Sequence, residues 1–573
     1  MKNHIFILVA LLAICTKQYG QISNKQLEDL QANIPLEKIY LQTNANLLLA
    51  GEYLKYKAAT LNLNSNVPSD ISKMVYVSLI GANNTIVFNH KITVLNNNAT
   101  GDFFIPASIK TGHYKLISYS NWSKNNTIKS YAVKNIYIIN PFTTETQALT
   151  TPKDTIKISS SNSLARKKNL ENNLITLAKD NYNKREHVEV TIANSSAIFG
   201  SFSVSVRKLD AIQIKTNYPN TTYLNAKKTV NYLPELRGEI ISGIVTNSST
   251  NQKAVNKTVS LSFPAKNFLF KNAATNQNGT FYFVIDESYS QENAIFQIQE
   301  NDRENYSIAI NDKTFTEFDQ LTFSSIELDE SISEVLKNKS IQNQIENAYY
   351  QAKQDSIVAF SPRPVFYHPL AKRFVLDDYN RFPTIKETFT EIISNAYITK
   401  NKGQYMFHVR DLSEVSTHSN IQSIPPLILF DGILVQDLND LVDYYDSNKI
   451  EYIDVVNGQY VLGSKVYDGI IAIKTFDSAF SLKSNNSNIK EITIDKPLPN
   501  KTYYHPQYTH STQNANIPDY RTQLFWNPKV ELIGKNKTLS FFTSDVEGTF
   551  EITLEGYSNT GNYIVSKAYL AVN

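Results

Sequence analysis

The chain has 573 residues, a formal net charge of +3, 19% charged and 42% hydrophobic residues, and a single cysteine. Such a length suits about four or five domains. The near-even charge, without basic stripes or blocks of like charge, excludes a nucleic-acid binder and a long charged tail. No apolar run beyond residue 15 approaches the ~18 residues that a bilayer-crossing helix needs, so the mature chain is expected to be soluble or peripherally membrane-associated, with no transmembrane segment.

Lys2, the apolar stretch 5–15 (IFILVALLAIC) and the polar residues up to Gly20 read as a secretory signal peptide over residues 1–20. The one cysteine, Cys15, lies within it. The exported remainder is then expected to carry no disulfide, thiolate nucleophile or Cys–zinc site. Lipidation of Cys15 is the competing reading, disfavoured because Ile14 stands where a small residue is usual.

Residues 22–32 suit a short amphipathic helix. From Glu37 the pattern changes to apolar–polar alternation: 38–43, 52–61, 73–81, 85–95, 101–106 and 113–122, divided by Asn, Gly, Pro and Ser. Short strands at this spacing predict a β-sandwich over 35–140. Gly51 and Gly112 each precede a strand, where a turn with positive φ favours glycine. Glu37-Lys38-Ile39-Tyr40-Leu41, Ala50-Gly51-Glu52, Val75-Tyr76-Val77, Gly101-Asp102-Phe103 and Gly112-His113-Tyr114 before Asn121-Trp122 resemble the MG2 macroglobulin domain of Bacteroidetes envelope proteins.

A helical stretch is expected at 162–180. Alternation resumes at 187–194 and 201–212, which predicts a second macroglobulin-like β-domain over 175–232. Leu236-Arg237-Gly238-Glu239-Ile240-Ile241, Lys257 to Ser262 and the Asn278-Gly279 hairpin before Thr280-Phe281-Tyr282-Phe283 give strand, strand, turn, strand. They resemble the carboxypeptidase-regulatory-like (transthyretin-like) sandwich, over 235–312. That resemblance implies a non-catalytic module.

Apolar residues Ile332, Val335, Leu336, Ile341, Ile345 and Tyr349 recur at helical spacing, and a Pro- and aromatic-rich stretch follows; 327–382 is read as a helical and Pro-rich connector. Helical 384–395 and a strand-like 404–412 come next. Pro425 to Val435 with the Asp431-Gly432 turn, a helix at 437–446, Ile450 to Gly458 and Asp468 to Thr475 read as strand, turn, helix and two strands. They resemble the plug domain of TonB-dependent outer-membrane receptors, over 383–476. Only 98 residues follow Thr475, against about 22 strands of roughly 10 residues in a receptor barrel. A plug without a barrel is expected, and hence no transport through this chain itself. Residues 515–573 read as a C-terminal macroglobulin-like β-domain. The expected fold class is therefore mainly β and multi-domain, with tandem β-sandwiches (macroglobulin/Ig-like and transthyretin-like) and one small α+β plug-like domain. The order of modules resembles MG2- and plug-domain-containing surface or periplasmic proteins of Bacteroidetes.

The chemistry expected is binding. A macroglobulin thioester needs a cysteine, and none follows Cys15. His505 and His510 lie five apart around Pro506, off any helix that would align them as metal ligands, and a metal site needs three or four matched ligands. His368 and His408 suit packing or hydrogen bonding better than general-base work. Asp377 and Asp378 are adjacent and would face opposite sides of a strand, and Asp431 can cap backbone amides in its turn. No nucleophile elbow, phosphate loop, H-E-x-x-H or dinucleotide fingerprint occurs. No catalytic, cofactor-binding or metal-binding residue is assigned. Candidate partner contacts are Asp431 and Gly432 in the plug-like turn, Phe366 and Tyr367 in PVFYHP, and Tyr503 and Tyr504 in KTYYHPQYTH, because aromatics are enriched at binding hot spots; the competing role for these aromatics is packing between domains. The function expected is a non-enzymatic scaffold or accessory subunit in the periplasm or on the periplasmic face of the outer membrane, with the cell surface as another address. Its partner would be an outer-membrane β-barrel or other envelope protein. The alternative is a carbohydrate- or peptide-binding envelope protein.

Overall fold

The computed structural model describes Asp29 and the chain from Asn33 to Asn573, apart from residues 150–153, 161–173, 194–197, 216–220, 227–230, 288, 290, 359–362, 411–423, 483–485 and 509–515. The signal segment with Cys15, the stretch 22–28, most of the expected helix 162–180, and His510 lie outside the described residues. The fold is mainly β, with many strands in several sheets and few helices. Two compact units share the chain: a first of Asn33–Gly238, Thr314–Phe360 and Pro497–Asn573, and a second containing Glu239–Lys313 and Ser361–Lys496. Among the described residues no helix is long and apolar enough to cross a membrane.

The first unit opens with a sandwich. Glu37–Thr43, Tyr53–Asn62 and Asn98–Phe104 form one antiparallel sheet, and Ile86–Thr93, Met74–Ile80, Gly112–Tyr119 and Tyr131–Ile139 form most of the other. Alternation puts Leu54, Tyr56, Val75, Val77, Leu79, Leu116 and Ile136 in one core. Glu37 is fully buried and accepts hydrogen bonds from Ser69, Ser72 and Ser120, tying two loops to the first strand. Burial pushes its carboxyl up, against the opposing pull of those hydroxyls. Gly51 has φ +93 and packs beside Asn347. Gly112 lies within its strand without positive φ, and what it provides is space: a Cβ there would meet the Gln147 side chain at 2.6 Å.

The segments expected as separate domains over 175–232 and 515–573 are halves of one sandwich. Phe199–Lys208 has Gln523–Ile533 on one side and Gly548–Ser558 on the other, and His187–Ile192 pairs with Lys537–Phe542. Val188, Val190, Val204 and Val206 share a core with Leu524, Phe550, Ile552 and Leu570. Either half alone would leave open strand edges and a bare apolar face. Two further corrections follow. Residues 175–177, expected as helix, are a strand against His187–Ile192, and Thr221–Leu224 joins the first sandwich beside Tyr131–Ile139.

Helix α1 (Ser333–Ala348) forms within the expected helical stretch but buries only part of the expected apolar set and some polar residues with it. Ile341 and Tyr349 are 45% and 40% exposed, whereas Lys339, Ser340 and Asn343 are buried. Lys339 pairs with Asp210 and lies 3.6 Å from Glu52, which Arg207 also holds at 2.6 Å. The helix thus packs partly on charged groups through Lys339, while Leu336 packs on the apolar cluster of Leu47, Tyr137 and Ile156, with Ile332 buried just before the helix.

The second unit combines a sandwich and an α+β module. Thr280–Ile285, Glu239–Asn247 and Tyr306–Ile310 face Leu269–Ala274, Thr258–Phe263 and Asn293–Ile298. The final strand, Ile489–Thr493, pairs with Asn293–Ile298 after a long excursion. The α+β module is therefore inserted within the sandwich, which extends past its expected end at 312. Its sheet runs Lys372–Val375, Ile450–Leu462, Lys465–Thr475, Leu427–Phe430, Ile433–Leu434. Lys372–Val375, within the expected connector 327–382, is thus this module's edge strand. Helices α2 (Ile385–Glu391), opened by a Thr384–Glu387 capping box, and α3 (Asn439–Tyr444) cover one face. Both faces are buried: Ile471 and Ile473 pack with Phe389, Ile453 and Val442, while Ile470 and Ala472 pack with Phe270, Leu429 and Tyr367. Burial on both sides explains why this strand reads as a continuous apolar run.

Candidate functional site

Polar side chains lock the α+β module to its sandwich within the second unit. Gln297 Nε2 donates to Leu434 O at 2.9 Å and Gln436 Nε2 to Ile298 O at 3.0 Å. Tyr467 Oη donates to Gln299 Oε1 at 2.6 Å and accepts from Asn272 Nδ2 at 2.7 Å. Burial pushes the Tyr467 phenol up to about 12, against those two bonds. Lys465 Nζ adds a bond to Gln299 O at 3.0 Å. Buried polar groups joined in this way fix one arrangement, because each lost partner strands the other in a low dielectric.

Asp431 is fully buried at φ +50, in the turn that begins beside this lock. Its carboxylate accepts from Thr475 N at 2.9 Å, Thr475 Oγ1 at 2.6 Å and Phe480 N at 3.1 Å, and Lys474 Nζ lies 3.0 Å away. Gly432 follows at φ +85, where a Cβ would lie 2.3 Å from Phe268 Cβ. The turn expected to meet a partner is instead packed against the unit's own sandwich. It positions Phe480, whose ring lies 4.3 Å from Phe430, with Tyr445 4.7 Å from that same ring.

The rings of Phe480 and Tyr445 border a cavity of about 230 Å³ where α3, the segment after Thr475 and the sandwich meet. Val435, Leu441 and Ile489 supply apolar wall, and Tyr444 stands at the rim, 80% exposed with no aromatic partner among the described residues. Among the described residues that line it are one guanidinium, Arg303, and three carboxyl-bearing residues, Glu304, Asp437 and Asp440. The Arg303 side chain has no hydrogen bond or ion pair among the described residues. The Tyr445 phenol is pushed up to about 12, by burial first and then by the carboxylates of Asp431, Asp477 and Asp446. Sequence reasoning missed this cavity because its walls come from segments up to about 190 residues apart.

The remaining candidates are dispersed. Tyr367 is buried, donating to Asp454 Oδ2 at 3.2 Å, and Phe366 is half-buried with Tyr367, Tyr460 and Phe270 around it. Asp454, not singled out from the sequence, is held by Arg373 through two bonds of 2.8 Å. In the first unit, Tyr503 is buried with Lys55 Nζ 4.3 Å above its ring, and half-buried Tyr504 donates its amide to Asp355. Thus Asp431, Gly432, Tyr367 and Tyr503 are packing positions, and the exposure expected of them as partner contacts is corrected. His505 stacks on Phe525 at 4.6 Å and is driven to about 4 by burial, then by Lys55 and Arg521. His408 accepts or donates a bond with Thr399 and stacks on Tyr397, while His368 is exposed. Asp377 and Asp378 sit in a 3-10 turn instead of a strand, with Asp377 paired to Arg381 at 2.6 Å. Among the described residues no group of three or more His, Cys, Asp or Glu is placed to hold a metal ion.

No protein family and no curated protein matches the chain by sequence. Among solved structures, it is similar to Salmonella alpha-2-macroglobulin reacted with methylamine, at 7% identity and a TM-score of 0.23, over 94% of this chain and 40% of that one. Trypsin-activated alpha-2-macroglobulin from Escherichia coli gives 7% identity and a TM-score of 0.24, over 94% and 41%. The Escherichia coli adhesin FdeC gives 11% identity and a TM-score of 0.14, over 50% and 64%. The chain spans about two fifths of the length of these macroglobulins. Likenesses of this size have no bearing on what the chain binds.

Proposed function

We propose that the protein is a non-enzymatic, exported scaffold or accessory subunit that binds an outer-membrane β-barrel or another envelope protein of a transport or secretion machine. Export rests on the N-terminal segment ending near Gly20. The observation that supports the scaffold role is the polar lock between the α+β module and its sandwich, centred on Gln297, Gln436 and Tyr467. A plug that moves would need that contact to release. Side-chain-to-backbone bonds from Gln297 and Gln436 and the buried Tyr467–Gln299 bond tie the module to the sandwich, which supports a fixed arrangement, and pre-ordered elements present binding surfaces with little ordering cost. Affinity purification of the full chain from detergent-solubilised outer membrane is expected to recover one defined barrel protein. A clean monomer with nothing co-purifying would refute the proposal. The second reading, a carbohydrate- or peptide-binding envelope protein, is favoured by the cavity beside Tyr444, and glycan and peptide arrays separate it from the first.

A further inference from the structure

We infer that the cavity beside α3 receives one basic side chain, an arginine or lysine, of the protein partner, an inference that rests on the partner-binding reading above. At about 230 Å³ the cavity lies just below the ~300 Å³ lower end of small-molecule sites, so it suits a single side chain better than a whole ligand. Among the described lining residues three carry carboxyl groups, Glu304, Asp437 and Asp440, against one guanidinium, Arg303, and this surplus of negative charge suits a cation better than an acidic ligand.

The remaining lining matches the rest of such a side chain. Lysine and arginine carry an apolar stem behind a charged head. Val435, Leu441 and Ile489 offer the stem apolar contact, and the rings of Tyr445 and Phe480, fixed by Phe430, border the space where a cation can approach a π face. Tyr444, 80% exposed at the rim, is where a partner's backbone would pass. The Phe480 wall is anchored by its amide on buried Asp431, so the pocket is preformed.

The test uses the full-length protein and a labelled pentapeptide with one arginine between glycines, compared with citrulline and glutamate counterparts by NMR titration. Citrulline keeps the shape and removes the charge. The arginine peptide is expected to bind more tightly than the citrulline peptide by about tenfold, and the glutamate peptide not at all. In the Asp437→Asn/Asp440→Asn variant the arginine preference should fall to near parity, and in Tyr444→Ala binding should weaken about threefold. All three residues are exposed, so an unchanged thermal midpoint checks the fold. Equal binding of arginine and citrulline peptides, or an arginine preference that survives in the double variant, overturns the inference. Partner capture separates the two readings. A partner retained equally by wild type and by both variants overturns the pocket's role and supports the scaffold. An arginine preference with no partner captured supports the pocket's chemistry and overturns the scaffold.

Discussion

Gly432→Ala separates a packed turn from a partner-facing one. The residue sits at φ +85, and an added Cβ would lie 2.3 Å from both Cβ and Cγ of Phe268. A left-handed backbone costs a non-glycine residue about 1–2 kcal/mol, and overpacking a filled site costs about 1–3 kcal/mol. Phe268 Cβ is fixed to the backbone of the sandwich and cannot swing aside. The second unit should therefore lose about 2–5 kcal/mol, a fall of about 4–20 °C in its melting temperature for a body of about 200 residues. Adding Phe268→Gly, which removes both clashing atoms, should recover the steric part while leaving the backbone cost, so the two substitutions should be non-additive by about 1–3 kcal/mol. Differential scanning calorimetry on the single and double variants measures both. A Gly432→Ala protein that melts within a degree of wild type, with partner binding abolished, would refute the packing argument and return the turn to a contact role.

Three further outcomes follow from the ionic groups. Arg373→Ala leaves Asp454 with only the Tyr367 hydroxyl and should cost about 2–3 kcal/mol, discounted because the guanidinium is half exposed, whereas Lys496→Ala beside exposed Glu292 should cost under about 1 kcal/mol; urea denaturation that ranks them equally contradicts the assignment. Lys339→Met should destabilise the first unit by about 3–5 kcal/mol, because Asp210 loses its buried partner, and Asp210→Asn added to it should restore much of the loss; no rescue in thermal melts would count against the pairing. Burial, then Lys115, lowers the His113 imidazole to about 4 from 6.5. Below pH 6.5 the unfolded chain takes up a proton that the folded chain refuses, so this contribution is complete above pH 6.5 and is lost as pH falls toward 4. From pH 6.5 to 5 wild type should lose about 2 kcal/mol more than His113→Asn; parallel urea midpoints across that range would exclude a buried neutral His113.

What the sequence showed was local. Alternation around Val75-Tyr76-Val77, the Asn278-Gly279 turn with Gly279 at φ +69, and the apolar run Ile470 to Ile473 all act through neighbours within a few residues, and each lies in the element its pattern suggests. What it hid was pairing across long separations. Nothing near Phe202 or Val204 says that their sheet neighbours are Val530 and Leu554, and nothing near Ile492 says that it returns to Ala294. Register is set by the meeting of two apolar faces, and either face alone is compatible with several partners. In helix α1 the spacing located the helix but not its buried face: Leu336 packs inward and Ile341 does not, while Lys339 is buried with Asp210, a partner far away in the chain. The aromatic candidates were visible as aromatics, yet burial of Tyr367 and Tyr503 depends on Asp454 and Lys55, which only the fold brings to them.

The most direct test of the second unit as a partner-binding head is in-cell photo-crosslinking from position 444, with the photoreactive residue replacing exposed Tyr444 and a control placement at exposed Glu327 in the first unit. One discrete adduct from position 444 that contains an outer-membrane barrel protein, and none from position 327, is the result expected. No adduct from position 444 in cells that express the protein at its normal level would contradict it.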